Sequence, residues 1–387
     1  MRRPYYNPGV PERLKSYWEL TLPVRHVTAT SAPASVDVLI VGAGFLGLWL
    51  AYFLSARKNP PRILVVERDT LGYGASSRNA GFLTCGHISE IVSDLAESPR
   101  EAVFAAFLRR KQGVQTILNE FPDLLTDPCG SADYDPITDE KRALADELNA
   151  TLASRGEPPI YDERELVFGG KPRRAFFNRF DRGVHPVRLL KALHERCAAH
   201  GVTFAHGVEV MNLGDGSANV VLADGKPAKV KYGRAFICTN AFARQLNAAT
   251  EIVPGRGQVI ITTPVEAKTS HALGFLNDGY DYFKFVDGRL LIGGGRHMFR
   301  EREETTDLTP SVEVRNYLQA LARQVIGHDR FSVERHWAGI MGFKSGAHVS
   351  LTHETRIDAR TSELHACGGM GVALSPVVAQ QTAANFP

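Results

Sequence analysis

The chain has 387 residues, of which 44% are hydrophobic and 22% are charged, and its 45 Lys and Arg residues against 42 Asp and Glu leave a formal net charge of only +3. This balance excludes a collagen, a largely disordered chain and a strongly basic nucleic-acid-binding surface. The length predicts two domains, or one large domain with an insertion.

The first 35 residues are rich in proline and are predicted to form an irregular N-terminal arm. Behind them, residues 38–56 form a run of 19 without a charge, which is long enough for a transmembrane helix. The β-branched stretch 36–41, followed by Gly42, Gly44 and Gly47, predicts instead a buried strand, a glycine turn and a helix. No secretory signal is predicted, since Met1-Arg2-Arg3 has no apolar core behind it. We therefore expect no integral membrane segment.

A βαβ unit is predicted from strand 36–41, a helix from about Gly44 to Arg57 and strand 62–67. Between the first strand and the helix stands a GxGxxG motif, whose glycines permit a tight turn, close approach of a pyrophosphate and packing of helix on strand. Glu67 follows at the end of the second strand, where a carboxylate can accept the hydroxyl groups of an adenosine ribose. These features predict a site for FAD or NAD rather than NADP. The alternative is a plain glycine turn beside a surface glutamate.

Further elements follow in chain order. Ser98 is predicted to cap a long amphipathic helix that reaches Phe121, with Glu101 completing a capping box. A later helix is expected from Pro186 to Gly201. Asp287-Gly288, between strands 282–286 and 289–292, predicts a β-hairpin with a type I′ turn. Additional strands are predicted at 202–205, 209–213, 219–222, 234–238 and 258–262. Strands interspersed with helices indicate an α/β fold.

The segment after Glu67 carries the most specific pattern. Residues 71–82 read LGYGASSRNAGF and resemble the second FAD segment of the D-amino acid oxidase superfamily. Residues 368–376, GGMGVALSP, resemble the C-terminal segment of the same superfamily, and shorter matches occur in the right order at 183–186, 206–210, 238–241 and 255–258. The resemblance covers about residues 36–384. It is strongest toward the gamma-glutamylputrescine oxidase and glycine/sarcosine oxidase branch.

This resemblance implies the architecture and the cofactor. It implies an α/β fold with an FAD-binding Rossmann-type, glutathione-reductase-like domain (36–95, 160–250 and 330–387) and a mixed, largely antiparallel substrate domain (96–159 and 251–329). The cofactor-binding residues that the motif and the resemblance indicate are Gly42, Gly44, Phe45, Leu46, Gly47, Glu67, Arg68, Gly74, Ala75, Ser76, Ser77, Arg78, Asn79, Ala80, Gly81, Phe82, Val210, Thr239, Asn240, Gly339, Gly369, Met370, Gly371 and Val372.

The chain departs from the superfamily at several positions. Arg78 and Gly339 stand where members with a covalent flavin carry histidine or cysteine, so the FAD is expected to be non-covalent. Ala373 replaces the lysine of sarcosine oxidases. Residues 344–351, KSGAHVSL, replace the usual TPDxxPxIG run, which leaves open whether the chain turns substrate over.

Three residues are candidates for the substrate pocket. Tyr282 shares one face of its strand with Tyr280 and Lys284 and can bond a substrate amine or carboxylate, or else pack within the sheet. Arg296 follows a run of three glycines and can fork onto a carboxylate, or else end a solvated loop. His336, beside Trp337, can line the pocket or close the core.

The expected function is oxidation of a carbon–nitrogen bond of an amine or amino acid to an imine by hydride transfer to flavin N5, with oxygen or another electron acceptor. Open alternatives are a flavin dehydrogenase of a hydroxy acid, an NAD-linked enzyme and an FAD-holding assembly factor without turnover.

No nucleic acid or metal is expected. The five cysteines are an odd number, and no two lie closer than Cys197 and Cys238. They predict free thiols in a reducing compartment, the cytoplasm.

Overall fold

A computed structural model describes residues 14–24, 26–69, 74–345, 349–366 and 368–387, and it leaves the side chains of 126–129 undescribed. Several stretches used above lie outside the described residues: the start of the N-terminal arm, Leu71–Tyr73, residues 346–348 and Cys367. Within the described residues no helix is both long enough and apolar enough to cross a membrane.

The described elements are as follows. The helices are α1 Tyr17–Thr21, α2 Phe45–Ser55, α3 Ile88–Glu97, α4 Arg100–Glu120, α5 Asp139–Ala153, α6 Pro186–Ala199, α7 Arg300–Glu303, α8 Val312–Ile326 and α9 Gly371–Ala384. The strands are β1 Ser35–Val41, β2 Ile63–Glu67, β3 Phe82–Leu83, β4 Leu125–Asp133, β5 Tyr161–Phe168, β6 Lys171–Val184, β7 Thr203–His206, β8 Glu209–Gly214, β9 Ser217–Val221, β10 Pro227–Ile237, β11 Ile252–Thr262, β12 Leu273–Leu276, β13 Asp281–Val286, β14 Arg289–Gly294, β15 Val333–Lys344, β16 Glu354–Arg356 and β17 Thr361–Leu364.

The first sheet has the strand order β16-β17-β10-β1-β2-β7, and β8 and β9 form a hairpin that pairs onto β10. Its centre is parallel, with β1 between β2 and β10. Both faces of this centre are covered, so β1 and β2 are almost continuously apolar rather than alternating. The predicted strand–turn–helix–strand unit is confirmed, and the uncharged run 38–56 divides into β1 and α2.

The second sheet has the order β15-β11-β14-β13-β12-β4-β6-β3, with β5 paired to β6, and most of its pairings are antiparallel. One face is covered by α8, whose apolar residues share a core cluster with Phe283, Phe285 and Ile292. The predicted hairpin is confirmed, because β13 pairs with β14 and both Asp287 (φ 51°) and Gly288 (φ 70°) take the left-handed conformation of a type I′ turn.

The helix start near Ser98 differs from the prediction. Ser98 is the residue that ends α3, and α4 begins after Pro99, which occupies the N-cap position without a side-chain hydrogen bond. The capping box predicted for Ser98 and Glu101 is therefore wrong. Pro99 is already extended (ψ 137°) and takes the cap position that the serine would need.

The sheets also divide the chain differently from the predicted domain boundaries. The predicted FAD-binding segments 36–95, 160–250 and 330–387 contain β3, β5, β6 and β15, but these four strands all pair within the second sheet. A strand's own sequence does not show which sheet it joins, because the partner strands are distant in the chain.

The N-terminal arm is more ordered than expected in its described part. Ser16 caps α1 in a capping box with Glu19, and Trp18 is only 1% exposed, within a core cluster that includes Ala80 and Trp337. The arm therefore packs against the second sheet and the segment 74–82.

Candidate cofactor and substrate site

A long cleft of about 1310 Å³, counting the space open to solvent, runs along the carboxyl edge of the first sheet. It is lined by the glycine turn after β1, the end of β2, the segment 74–79, the residues after β10, part of β15 and the start of α9. Ligands of open α/β sheets bind at this edge, outside the carboxyl ends of the strands.

The glycine turn brings backbone close to backbone at two positions. Gly42 has φ +109°, and a Cβ there would lie 2.8 Å from the carbonyl oxygen of Cys238. A Cβ on Gly47 would lie 2.0 Å from the carbonyl oxygen of Gly42, so the third glycine lets α2 pack on the turn. Gly44 caps α2 without a side-chain hydrogen bond, and the Phe45 N–H donates to Ser76 Oγ at 3.0 Å. The turn is therefore joined to the segment that begins at Gly74.

Glu67 lies at the end of β2 and is 8% exposed. One of its carboxylate oxygens accepts the Ala43 N–H at 2.9 Å, and the other accepts the Asp69 N–H at 3.0 Å. Burial raises the pKa of Glu67, although the two N–H donors act in the opposite direction. Each carboxylate oxygen has a second lone pair, so the group can still accept a ligand hydroxyl in the cleft.

The segment 74–82 turns through a short 3₁₀ helix, Ala75–Ser77, and places only part of its length on the cleft. Ser77 is fully buried, and its carbonyl accepts the Ser16 hydroxyl at 2.8 Å. Arg78 is 1% exposed and donates to the carbonyl oxygens of Leu14 (2.7 Å) and Ala338 (3.3 Å). The Ser77 carbonyl and the Arg78 side chain therefore fasten the segment to the N-terminal arm, and Arg78 also fastens it to β15.

The far end of the cleft is formed by the start of α9. Met370 is the N-cap residue and makes no side-chain capping bond, while Gly369, Gly371 and Val372 line the cleft. An uncapped helix start presents free N–H groups and a partial positive charge. Nearby, Thr239 Oγ1 lines the same cleft and is buried without a hydrogen-bond partner within the described residues.

The residues present fit a bound dinucleotide. The cleft offers two helix starts whose own N-cap residues make no side-chain bond, an acceptor carboxylate, and a buried hydroxyl that has no partner within the described residues. Helix starts bind phosphate oxygens, and a buried hydroxyl without a partner is stabilised when a ligand pairs with it. An elongated ligand with phosphates and hydroxyl groups satisfies all of these at once.

The sequence-predicted cofactor residues divide into two groups. Sixteen line the cleft: Gly42, Gly44, Phe45, Leu46, Glu67, Arg68, Gly74, Ala75, Ser76, Asn79, Val210, Thr239, Asn240, Gly369, Gly371 and Val372. The other eight are not among its lining residues: Gly47, Ser77, Arg78, Ala80, Gly81, Phe82, Gly339 and Met370.

Gly339 illustrates the second group. A Cβ on this residue would lie 3.1 Å from the Arg78 Cβ, so the glycine admits the segment 74–82 against β15 without lining the cleft itself.

Two of the three substrate candidates share one face of the second sheet. The Tyr282 ring lies edge-on to Phe82, with centroids 5.6 Å apart, and belongs to the same cluster as Trp337. The Arg296 guanidinium lies 3.7 Å from the centroid of Phe343, and Phe343 and Trp337 are six residues apart on β15, so they project from one face. Tyr282 and Arg296 therefore both face the side on which the segment 74–82 packs.

The charge states of these two residues follow from burial. Burial raises the pKa of Tyr282, so its phenol stays protonated and can donate. Burial lowers the pKa of Arg296, and within the described residues its guanidinium makes no hydrogen bond or ion pair. A partly buried guanidinium without an anion partner is unusual, because such a charge is normally paired.

His336 lies on the opposite face. It lines a separate small cavity with Leu14, Ser311 and Arg315, and burial lowers its pKa to about 4. The structure does not bring His336 together with Tyr282 and Arg296.

Sequence reasoning assigned no role to several residues in or near the site. Met341 and His365 line the cleft. Met341 could have been predicted, because it lies two positions after Gly339 on β15 and so projects from the same face of the strand. Lys284 is 1% exposed and donates to the carbonyl oxygens of Gly81 (3.0 Å) and Val184 (3.2 Å), while burial lowers its pKa to about 7.

A buried polar cluster stands behind β3. Asp181 accepts the Ser131 hydroxyl at 2.6 Å and the Cys85 N–H at 3.2 Å, and burial raises its pKa to about 7. His87 caps α3, stacks on Phe275 with centroids 4.4 Å apart and lies 3.6 Å from the Asp133 carboxylate. Burial opposes the charged form of His87, but neighbouring carboxylates raise its pKa overall.

A protein-family model described as FAD dependent oxidoreductase matches residues 37–385. The chain belongs to this family of FAD-dependent oxidoreductases. A curated relative, the FAD-dependent oxidoreductase domain-containing protein 1 of Xenopus laevis, is 26% identical over 210 residues, which are 52% of this chain and 41% of that protein. The matched part thus spans about two fifths of that relative's length.

Solved structures share the fold of this FAD-dependent oxidoreductase. Glycine oxidase from Geobacillus kaustophilus is similar with a TM-score of 0.68 and 19% identity, covering 91% of this chain and 94% of that one. L-amino acid deaminase from Proteus vulgaris has a TM-score of 0.70 and 15% identity, covering 92% and 95%. L-proline dehydrogenase from P. horikoshii has a TM-score of 0.67 and 18% identity, covering 91% and 93%. The predicted α/β fold, with its Rossmann-type domain and second, largely antiparallel sheet, is confirmed.

Proposed function

We propose that this FAD-dependent oxidoreductase oxidises the carbon–nitrogen bond of an amino acid, or of an amine that carries a carboxylate, to the imine. The observation that carries the proposal is Arg296, a guanidinium without an anion partner within the described residues, on the same sheet face as Tyr282. Structures with a similar fold include a glycine oxidase and an L-amino acid deaminase, which agrees with a substrate of this class.

The cofactor is held by the chain's own groups in this proposal. The N–H groups at the starts of α2 and α9 bind its anionic and carbonyl oxygens, and Glu67 accepts a ribose hydroxyl. Thr239 Oγ1 pairs with it between these ends. Bound FAD supplies the acceptor for the two electrons that leave the substrate. We propose that it is held without a covalent bond.

The substrate is bound and oriented by two side chains. Arg296 pairs with the carboxylate, and the protonated Tyr282 hydroxyl donates a hydrogen bond that fixes its orientation. The apolar side chains of Phe82 and Trp337 surround this position and exclude water. The substrate nitrogen has to be neutral, because an ammonium group has no lone pair to support loss of hydride from the neighbouring carbon.

The chain's two-domain division and its compartment belong to the same proposal. The FAD-binding part is built on the first sheet and the substrate-binding part on the second. The buried free thiols Cys85, Cys197 and Cys238 agree with a reducing compartment, for which we propose the cytoplasm.

The test is anaerobic reduction of the purified yellow protein by a panel of amino acids, amines and hydroxy acids. We expect bleaching by at least one amino acid and a rate that rises with pH as the substrate nitrogen loses its proton. Bleaching by hydroxy acids alone would favour the dehydrogenase alternative, and bleaching by NADH would favour a nicotinamide-linked enzyme. No bleaching by any compound would favour a factor that holds FAD without turnover. Oxygen and an artificial dye, compared as oxidants of the reduced protein, identify the type of electron acceptor.

A further inference from the structure

Three histidine side chains from separate parts of the chain meet away from the cleft. His26 precedes β1, His194 lies on α6 and His206 ends β7. One ring nitrogen from each residue lies within 4.8 Å of those of the other two. None of the three lines the flavin cleft.

The spacing is close to that of metal ligands. The Nε2 atoms of His194 and His206 lie 3.0 Å apart. Two zinc–nitrogen bonds of about 2.0–2.1 Å at a tetrahedral angle place their nitrogens about 3.3–3.4 Å apart, so a small opening of this pair admits a cation.

His26 supplies the third nitrogen. Its ring stacks on those of His194 and His206, with centroids 3.9 and 4.3 Å apart, so it has to turn to face a shared cation. It lies outside the helices and strands and is partly exposed, which leaves room for that rotation.

The unpaired state of His26 points to a ligand. Its Nε2 atom is buried without a hydrogen-bond partner within the described residues. A buried polar nitrogen without a partner costs free energy, and a cation bound to its lone pair removes that cost.

We propose that His26, His194 and His206 form a binding site for a late first-row divalent cation, with zinc the first choice. Neutral imidazole is a preferred ligand of zinc, copper and nickel, and three ligands leave a fourth position for water. Within the described residues no carboxylate or cysteine joins the three histidines.

The cation links the N-terminal segment to the first sheet. Thr28 forms a bridge with His206, and the Ala29 N–H donates to the His206 carbonyl oxygen at 2.8 Å, so the segment already lies along β7. A cation held by this segment, by α6 and by β7 stabilises the folded chain. The three ligands come together only in the folded state, so the cation binds that state and not the unfolded one. The site serves stability rather than the oxidation chemistry.

The experiment uses the flavin-loaded protein without an affinity tag, freed of metal by a chelator and held near pH 8, where imidazoles are neutral. Titration with zinc chloride followed by calorimetry and metal analysis is expected to give one zinc per chain and a raised melting temperature. His194→Ala and His206→Ala are expected to bind zinc about tenfold more weakly or worse. His200→Ala, which removes an exposed histidine next to the end of the same helix, is the matched control and keeps the zinc site.

Unchanged zinc affinity in both ligand variants, or no stoichiometric binding in the wild type, would overturn the proposal. If an alanine variant loses flavin or melts early, His26→Gln tests the site from a segment outside the regular elements. The wild type also gives an independent spectrum with cobalt chloride. Intense bands beyond the flavin absorption indicate four-coordinate cobalt at the site, while the weak bands of hydrated cobalt alone count against it.

Discussion

The Glu67 carboxylate accepts the backbone N–H of Ala43 at 2.9 Å, within the glycine turn that starts the cofactor cleft. One side chain therefore shapes the turn between β1 and α2 and also lines the end of the cleft where we propose that the adenosine binds. Changing it affects both the protein and its ligand.

Replacement of Glu67 by lysine tests this dual role. Glu67→Lys leaves the Ala43 N–H without its acceptor and puts a cation beside the helix start, so we expect FAD affinity to fall by about 1–3 kcal/mol or more. Flavin occupancy and the dissociation constant for added FAD measure the loss. Glu101→Lys, an exposed site on α4, is the control, and equal occupancy in the two variants would contradict the assignment.

Gly47 tests the close packing of the turn. A Cβ in Gly47→Ala would lie 2.0 Å from the Gly42 carbonyl oxygen, so the helix has to move and we expect a loss of about 1–3 kcal/mol or more of unfolding free energy. Gly214→Ala is the matched control, because a Cβ there meets nothing within 4 Å. Urea unfolding of both variants gives the difference; equal midpoints would show that the turn is looser than described.

The flavin is expected to be released from the denatured protein. The Arg78 guanidinium donates hydrogen bonds to the carbonyl oxygens of Leu14 and Ala338, and Gly339 has no side chain. Neither residue can therefore form a covalent bond to the flavin. Acid precipitation followed by a spectrum of the supernatant measures the released FAD. Yellow colour that stays with the washed pellet would contradict this prediction.

The substrate residues are tested by anaerobic reduction in a stopped-flow instrument. Tyr282→Phe and Arg296→Ala are each expected to weaken substrate affinity by about 1–3 kcal/mol without changing the flavin spectrum, since each loses one polar contact with the substrate. Arg300→Ala removes an exposed neighbouring charge and serves as the control for Arg296.

His336→Ala changes a residue on the opposite face of the sheet. The flavin of this variant is expected to be reduced by the substrate with the affinity and rate of the wild type. Wild-type affinity in the first two variants, together with a loss in His336→Ala, would move the pocket to the other face.

Asp181 gives the unfolding free energy a defined pH dependence. Burial raises its pKa to about 7, so the folded chain holds this proton more tightly than the unfolded chain, where the pKa is about 3.9. The stability that it contributes is complete at low pH and is lost as the pH rises toward 7. Relative to Asp181→Asn, the wild type should lose up to about 1.4 kcal/mol per pH unit between about pH 5 and 7. Parallel stability curves for the two proteins would show that Asp181 is ionised in the fold.

The local parts of the fold could be predicted because their signals lie within a few residues. The strand, glycine turn and helix at 36–55 and the hairpin at Asp287-Gly288 depend on patterns that neighbouring residues complete. The segment 74–82 was less predictable in detail. Its 3₁₀ turn decides that Ser76 lines the cleft while the Ser77 carbonyl and the Arg78 side chain contact the N-terminal arm.

Other features depend on contacts between distant residues. The pairing of β6 and β15 within the second sheet is set by strands that are distant in the chain. The same distant pairings decide that Arg296 and His336 lie on opposite faces of this sheet. The cluster of His26, His194 and His206 had no sequence signal either, because these residues lack the short spacings of metal motifs.

The order of strands in the first sheet sets when the protein can take up its cofactor during synthesis. A ribosome that has released the chain as far as His206 has delivered β1, α2, β2 and β7, but β10 and β17, which extend the sheet from the other edge of β1, have not yet been made. Until then that edge carries unpaired backbone groups and is exposed to pairing with other chains. The start of α9, which closes one end of the cleft, is made later still, at Gly371. The cleft is therefore complete only after the chain has been released as far as α9, and flavin loading is expected to follow that step.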